Sequence, residues 1–166
     1  MGLKLAVISD THYGDKTRNL PTFLFGHLEK VKPELVLHAG DVTDPELLER
    51  IEKVAPVLAV RGNADRLNLP EEEVVDVGAL RIGLIHGHQL FSLNAHFLTL
   101  KALDMGVEVL VFGHTHRFYH EMHSLHGRRV VLINPGSPVF PRMDSPGFAV
   151  LKVSGENVSV KRITFW

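Results

Sequence analysis

The 166-residue sequence predicts a mixed α/β sandwich, two sheets with helices on the outside. Two observations lead there. The first half alternates short apolar runs with helix signals, a β-α-β-α-β order that argues parallel strands joined by right-handed crossovers. The second half is mostly strands, the last of them in pairs with hairpin-type turns. The length fits one domain, residues 1–166, with enough chain to bury a real core. No linker, internal repeat or low-complexity segment interrupts it.

Each element has its own signal. Leu3 to Ser9 reads as a buried strand. A helix comes next, from about Pro21 to Val31, and is stopped by Pro33. Leu35 to His38 is the next strand. Asp44-Pro45-Glu46 starts a helix, with Asp44 as N-cap and Pro45 in the first turn. Val57 to Val60 is a third strand. Val74 to Val77 and Leu80 to His86 form a strand pair around Gly78. A helix spans Ala95 to Asp104. Strands then run over Val107–Phe112, Phe118–Leu125, Val130–Ile133, Phe148–Val153 and Val158–Ile163, with turns at "HGR" and "SGEN".

The residues just beyond the strand ends carry the chemistry. After the first strand comes Asp10-Thr11-His12, and after the second Gly40-Asp41. After the third comes Gly62-Asn63, then His86 after Ile85, and Gly113-His114-Thr115-His116 after Phe112. Ligands of α/β sheets sit beyond the carboxyl ends of the strands, so these five ends can converge on one place. Gly40, Gly62, Gly87 and Gly113 suit tight turns and close backbone approach there. Asp10, His12, Asp41, Asn63, His86, His114 and His116 offer only oxygen and imidazole nitrogen. That set suits manganese, iron, zinc, cobalt or nickel better than calcium. Seven side chains exceed what one ion takes, so the expectation is two divalent ions sharing one carboxylate. Taken singly, each residue has a structural alternative: a cap, a turn or a hydrogen-bonded core histidine. Five such residues at five strand ends by coincidence is the weaker account.

The motifs "DTH" at 10–12, "GDVTD" at 40–44, "GNAD" at 62–65, "HGH" at 86–88 and "GHTH" at 113–116 resemble those of the calcineurin-like metallophosphoesterases. With "INPGS" at 133–137 and a closing hairpin, the chain resembles the small phosphodiesterase branch of that superfamily (YfcE type). The resemblance implies a four-layer α/β/β/α sandwich, the metallo-dependent phosphatase-like fold. It implies that Asp10, His12 and His116 bind one metal, that Asn63, His86 and His114 bind the other, and that Asp41 bridges. It further implies phosphodiester hydrolysis by a hydroxide held between two ions, with manganese expected and nickel, zinc, iron and cobalt as alternatives. Many members carry histidine where this chain has Ala64. His88 is the nearest candidate to replace that acid, and Asp41 and His88 are therefore the expected catalytic residues. The bland reading of His88 is a supporting or solvent-facing histidine. The stretch "VVDVGALRIGLIHGHQL" also resembles the small subunit of the retromer coat, a scaffold with an asparagine in place of the first-motif histidine. This chain keeps His12.

The remaining histidines and acids read as structural. His120, His123 and His126 alternate faces on a strand and make no second metal site. His27, His38 and His96 are structural or surface residues, and Asp65 is a turn acid. Arg61 and Arg66 are weak candidates for phosphate binding. Substrate selectivity is assigned to loops 14–20, 89–94 and 137–146. Leu90, Phe91, Phe97, Phe140, Phe165 and Trp166 read as core or a contact between copies rather than as the exposed apolar patch of a scaffold, so a homo-oligomer stays open. A net charge of −1 provides no field for stable nucleic-acid binding. Absence of cysteine excludes thiolate chemistry and disulfides. With no signal peptide and no membrane span, the expected setting is the cytoplasm and the expected partner a small phosphodiester.

Overall fold

The computed structural model describes residues 2–17 and 22–165. The predicted helix start at Pro21, positions 18–20 of the 14–20 loop, and Trp166 lie outside the described residues. The element order is β1 (Leu3–Ile8), α1 (Thr22–Val31), β2 (Leu35–His38), α2 (Pro45–Glu52), β3 (Val57–Ala59), β4 (Glu72–Val77) and β5 (Leu80–Ile85). Then come α3 (Ala95–Met105), β6 (Val109–Val111), β7 (Phe118–Leu125), β8 (Arg128–Pro135), β9 (Gly147–Ser154) and β10 (Asn157–Thr164). Every element expected from the sequence is present among the described residues, with ends shifted by a few positions.

Two five-stranded sheets form, in the orders β10-β9-β1-β2-β3 and β4-β5-β6-β8-β7. The strands β1, β2 and β3 are parallel, as the alternation predicts. So are β5, β6 and β8. The sequence does not reveal that β9 and β10 return to the first sheet, where β9 runs antiparallel to β1.

Side-chain alternation explains the layers. Along β1, Leu5 and Val7 pack with Ile82, Leu84, Val109 and Val111 between the two sheets. Ala6 and Ile8 point the other way, against Leu24 and Leu28 of α1 and Leu47 and Ile51 of α2. On the second sheet Ile85, Leu110 and Leu132 pack outward against Leu98 and Ala102 of α3. Two helices, two sheets and a third helix thus stack as α/β/β/α. Because β1, β2 and β3 share one direction, and β5, β6 and β8 share one within their own sheet, several carboxyl ends can reach a single edge of the sandwich.

Candidate metal centre

At that edge the chain turns sharply just after each strand. Asp10, His12, Asp41, His114 and His116 all have left-handed backbone, with φ of 56°, 46°, 57°, 74° and 65°. Residues at such φ are uncommon outside glycine and cost about 1–3 kcal/mol each, and they persist where the surroundings over-determine them. The i, i+2 spacing recurs at 10/12 and 114/116, so each loop aims two side chains at one place.

The seven predicted ligands do meet. Ligating atoms of Asp10, His12, Asp41 and His116 lie within 4.8 Å of one another, and all four residues are buried. His116 Nε2 stands 3.5 Å from Asp10 Oδ1, and His12 Nε2 stands 3.2 Å from Asp41 Oδ2 without hydrogen-bond geometry. Beside this group lies a second. His86 Nε2 is 3.0 Å from Asn63 Oδ1, and His114 Nδ1 is 3.1 Å from the same oxygen and 3.3 Å from His86 Nε2. Asp41 Oδ2 is also 3.3 Å from His86 Nε2, so one carboxylate oxygen touches both groups.

Neighbours fix which ring nitrogen faces inward. His116 Nδ1 donates to Phe140 O at 2.6 Å, and His86 Nδ1 donates to Ala39 O at 2.7 Å. A carbonyl only accepts, so both Nδ1 atoms carry a proton and both Nε2 atoms face the cluster. His12 does the same through Asp15 Oδ2, 3.1 Å from its Nδ1. Asp41 Oδ1 accepts from Ala64 N at 2.9 Å, which leaves Oδ2 pointing at the histidines. Asp10 Oδ2 accepts from Ser9 Oγ and His114 N, which leaves Oδ1 inward.

Burial and charge set the titration. Burial pushes the Asp10 carboxyl up to about 6. For Asp41 burial also raises, but contacts from His12 and His86 outweigh it and hold this carboxyl far below its usual range. For His12 and His86 burial lowers, yet the neighbouring carboxylates, Asp41 foremost, raise both above their ordinary value. Burial takes His116 down to about 4, and burial together with charge on His86 lowers His114 and His88.

The supporting residues were less legible. Asp65, read as a turn acid, accepts from the backbone N–H of Asp41, Thr43 and Gly62 and so ties two motif loops together. His38 is fully buried, accepts from Gly40 N and faces Thr11 Oγ1 at 3.0 Å; burial lowers it to about 3, so it stays neutral. Ser137 Oγ donates to Asp10 O, and Asn134 Nδ2 donates to Gly113 O, which gives "INPGS" a holding role. A Cβ on Gly113 would overlap the Ser9 hydroxyl and crowd Asp10 Oδ2, so glycine is required there. Nothing in the sequence marked Ser9, Asp15 and Phe140 for this supporting role.

The other candidates separate. Asp44 caps α2 through Glu46 N at 2.9 Å, as expected. His88 is partly buried, its ring centroid 5.4 Å from that of His86 and its Nδ1 without a partner among the described residues. Arg61 is engaged by Glu71, while Arg66 is exposed beside a cavity of about 650 Å³ that Asn63 and Ala64 also line. His123 binds Glu121 and Tyr119 on β7 and joins no metal-like group. The described apolar candidates pack at separate places. Phe91 is 92 % exposed and rests on Phe97, Phe165 stacks on His27, and Phe140 meets His12 edge-on.

The residues fit a metal. Asp10 Oδ1 and His12 Nε2 are buried with no hydrogen-bond partner among the described residues, an arrangement that wastes polar groups unless a cation faces them. Ligands held about 2.0–2.2 Å from one ion lie about 3.0–3.5 Å apart, close to the separations seen here. Comparison with known proteins agrees. Residues 3–156 match the calcineurin-like phosphoesterase superfamily domain. A probable metallophosphoesterase of Methanothermobacter thermautotrophicus is 38% identical over 163 residues, spanning 96% of this chain and 91% of that protein. The crystal structure of Vps29 complexed with zinc from Entamoeba histolytica superposes with a TM-score of 0.80 at 25% identity, covering 99% of this chain and 100% of that one. A structure described as a novel archaeal phosphodiesterase has a TM-score of 0.71 at 20% identity, covering 97% and 100%. No described helix is long and apolar enough to cross a membrane. With a buried Asp/His group suited to a divalent ion, strand ends in the expected order and relatives matched along nearly the whole length, the chain belongs to the calcineurin-like phosphoesterase superfamily.

Proposed function

We propose that this protein hydrolyses phosphodiesters with two divalent ions, Mn²⁺ first among them, bound at the strand-end cluster. Asp10, His12 and His116 would hold one ion, Asn63, His86 and His114 the other, and Asp41 both. The observation that carries this reading is the position of Asp41 Oδ2, 3.2 Å from His12 Nε2 and 3.3 Å from His86 Nε2. Divalent ions bound there supply Lewis acidity, lower the pKa of water from 15.7 toward about 7 and offset charge on a phosphoryl group.

The chain's own residues explain the rest. Hydrogen bonds from His12, His86 and His116 to Asp15, Ala39 and Phe140 anchor the Nδ1 side of three imidazoles and turn their Nε2 atoms toward the cluster. Ala64 can give no proton from its side chain, so the site favours esters whose leaving alkoxide needs little help. His88 stands beside His86, but burial lowers its pKa, which disfavours the protonated, acidic form of the ring. It can instead offer a hydrogen bond to a bound phosphate. A small diester in the cytoplasm completes the proposal, without a membrane or a stable nucleic-acid partner. A homo-oligomer is compatible with it.

The likeness to Vps29 motivates a second reading, a binding scaffold with a residual metal site. The complete ligand set, His12 included, favours the enzyme. The test is the initial rate of cleavage of bis(p-nitrophenyl) phosphate with Mn²⁺, beside a chelated control and the monoester. Metal-dependent cleavage of the diester above the monoester supports the proposal. A folded, metal-loaded protein that turns over neither ester moves the assignment to the scaffold.

A further inference from the structure

The segment 137–146 is tied at both ends. At its start, Ser137 Oγ donates to Asp10 O at 2.8 Å and accepts from Val139 N and Phe140 N. In its middle, Phe140 O takes the proton of His116 Nδ1 at 2.6 Å, and the Phe140 ring lies 6.3 Å from His12, edge to face. At its end, Asp144 accepts from Phe118 N, Ser145 N and Arg162 Nη2, and the Arg162 guanidinium lies over the Phe118 ring at 4.8 Å. The loop is thus pinned to two predicted ligands on one side and to β7 and β10 on the other.

Arg142 rides on this loop, two residues from Phe140. It is exposed and makes no hydrogen bond or ion pair among the described residues. The acid of its own loop, Asp144, is occupied by Arg162 and two backbone N–H groups, so nothing within the loop neutralises Arg142. Because Phe140 O holds His116 Nδ1 at 2.6 Å, Arg142 leaves the backbone two residues from a contact with the cluster.

We propose that Arg142, held by the doubly tied 137–146 loop, grips a non-bridging oxygen of the phosphate brought to the metal centre. A guanidinium is always charged, and its planar fork matches two phosphate oxygens, which an ammonium does not. The inference rests on the phosphoesterase reading for its substrate, but anion binding can be measured apart from turnover.

The experiment compares wild type, Arg142→Ala and Arg142→Lys, all loaded with Mn²⁺. Binding of inorganic phosphate and of Mn²⁺ is tracked by calorimetry, and kcat/KM is measured on bis(p-nitrophenyl) phosphate. Losing a hydrogen bond to a charged group weakens binding about tenfold to hundredfold, so Arg142→Ala should weaken phosphate by that factor. Its Mn²⁺ affinity should not change, kcat/KM should fall in step, and Arg142→Lys should recover part of the loss. Phosphate affinity equal in Arg142→Ala and wild type overturns the inference, as does a metal-loaded wild type that binds no phosphate. If wild type cleaves the diester and Arg142→Ala cleaves it equally well, the inference fails and the enzyme stands. If Arg142 governs phosphate binding in a protein that cleaves no ester, the grip stands and the phosphoesterase reading fails.

Discussion

At the scale of the residue, Asp41 is the test case. Its Oδ2 touches both halves of the cluster, and its Oδ1 is occupied by Ala64 N. Asp41→Ala should lose both metals together, by more than the about 10–100-fold that removal of an outer partner costs. Metal content after dialysis checks this, and loss of one ion alone would defeat the bridging assignment. His88 lies at the other extreme. General acid help is worth about 10²–10⁴ in rate, yet its lowered pKa leaves His88 neutral. His88→Asn should therefore cost less than about tenfold in kcat on the diester, well short of a lost acid. A hundredfold fall would restore His88 as the missing proton donor. The residues of the cluster were legible because oxygen and imidazole groups recur just beyond five strand ends. Their left-handed backbone was not, since φ leaves a trace in sequence mainly when glycine takes it, and here aspartate and histidine do. The residues that aim them, Asp15, Ser9 and Phe140, act through a shared carboxylate, hydroxyl or carbonyl that any loop residue can provide.

At the scale of the element, helix ends show how function and local propensity divide. Helix α3 ends on Gly106 at φ 71°, whose N–H reaches Ala102 O and Leu103 O. Helix α1 ends just before Lys32, which takes φ 53° with a side chain that disfavours it. Lys32→Gly should raise stability by about 0.5–1 kcal/mol, less the entropy glycine adds to the unfolded chain. Gly106→Ala should lower it by about 1 kcal/mol, since a Cβ there meets no atom and only backbone strain acts. Urea midpoints of the two variants at equal slope test both signs, and a destabilised Lys32→Gly would mean that the lysine stem packs usefully on the helix end. Elements were legible because apolar periodicity marks them. The pairing of β9 with β1 was not, because contact between residues such as Leu5 and Leu151 is set by the whole sandwich rather than by any local pattern.

At the scale of the whole molecule, the metal centre stands against the stability of the fold that carries it. Asp10 is fully buried at the end of a core strand, and burial raises its carboxyl from 3.8 to about 6. In the metal-free protein, the stability tied to that raised value is complete below pH 3.8 and is lost as pH rises through about 6. At neutral pH the empty fold therefore holds a carboxylate it disfavours. A cation reverses the sign, because it needs the carboxylate deprotonated, so Mn²⁺ should bind at least about tenfold more weakly for each pH unit below 6. Thermal melts with and without Mn²⁺ at pH 5 and pH 7.5 should show the larger metal-induced rise at pH 7.5. Asp10→Asn separates the two effects. Its amide oxygen can still accept from Ser9 and His114 N, but it carries no charge. Without metal at pH 7.5 the variant should be more stable than wild type by about 2–3 kcal/mol, the order of free energy in a shift of this size. It should also lose most of its response to Mn²⁺. A metal-free Asp10→Asn that melts below wild type would show that the buried carboxylate supports the fold even when empty, and that the metal centre is no burden on it.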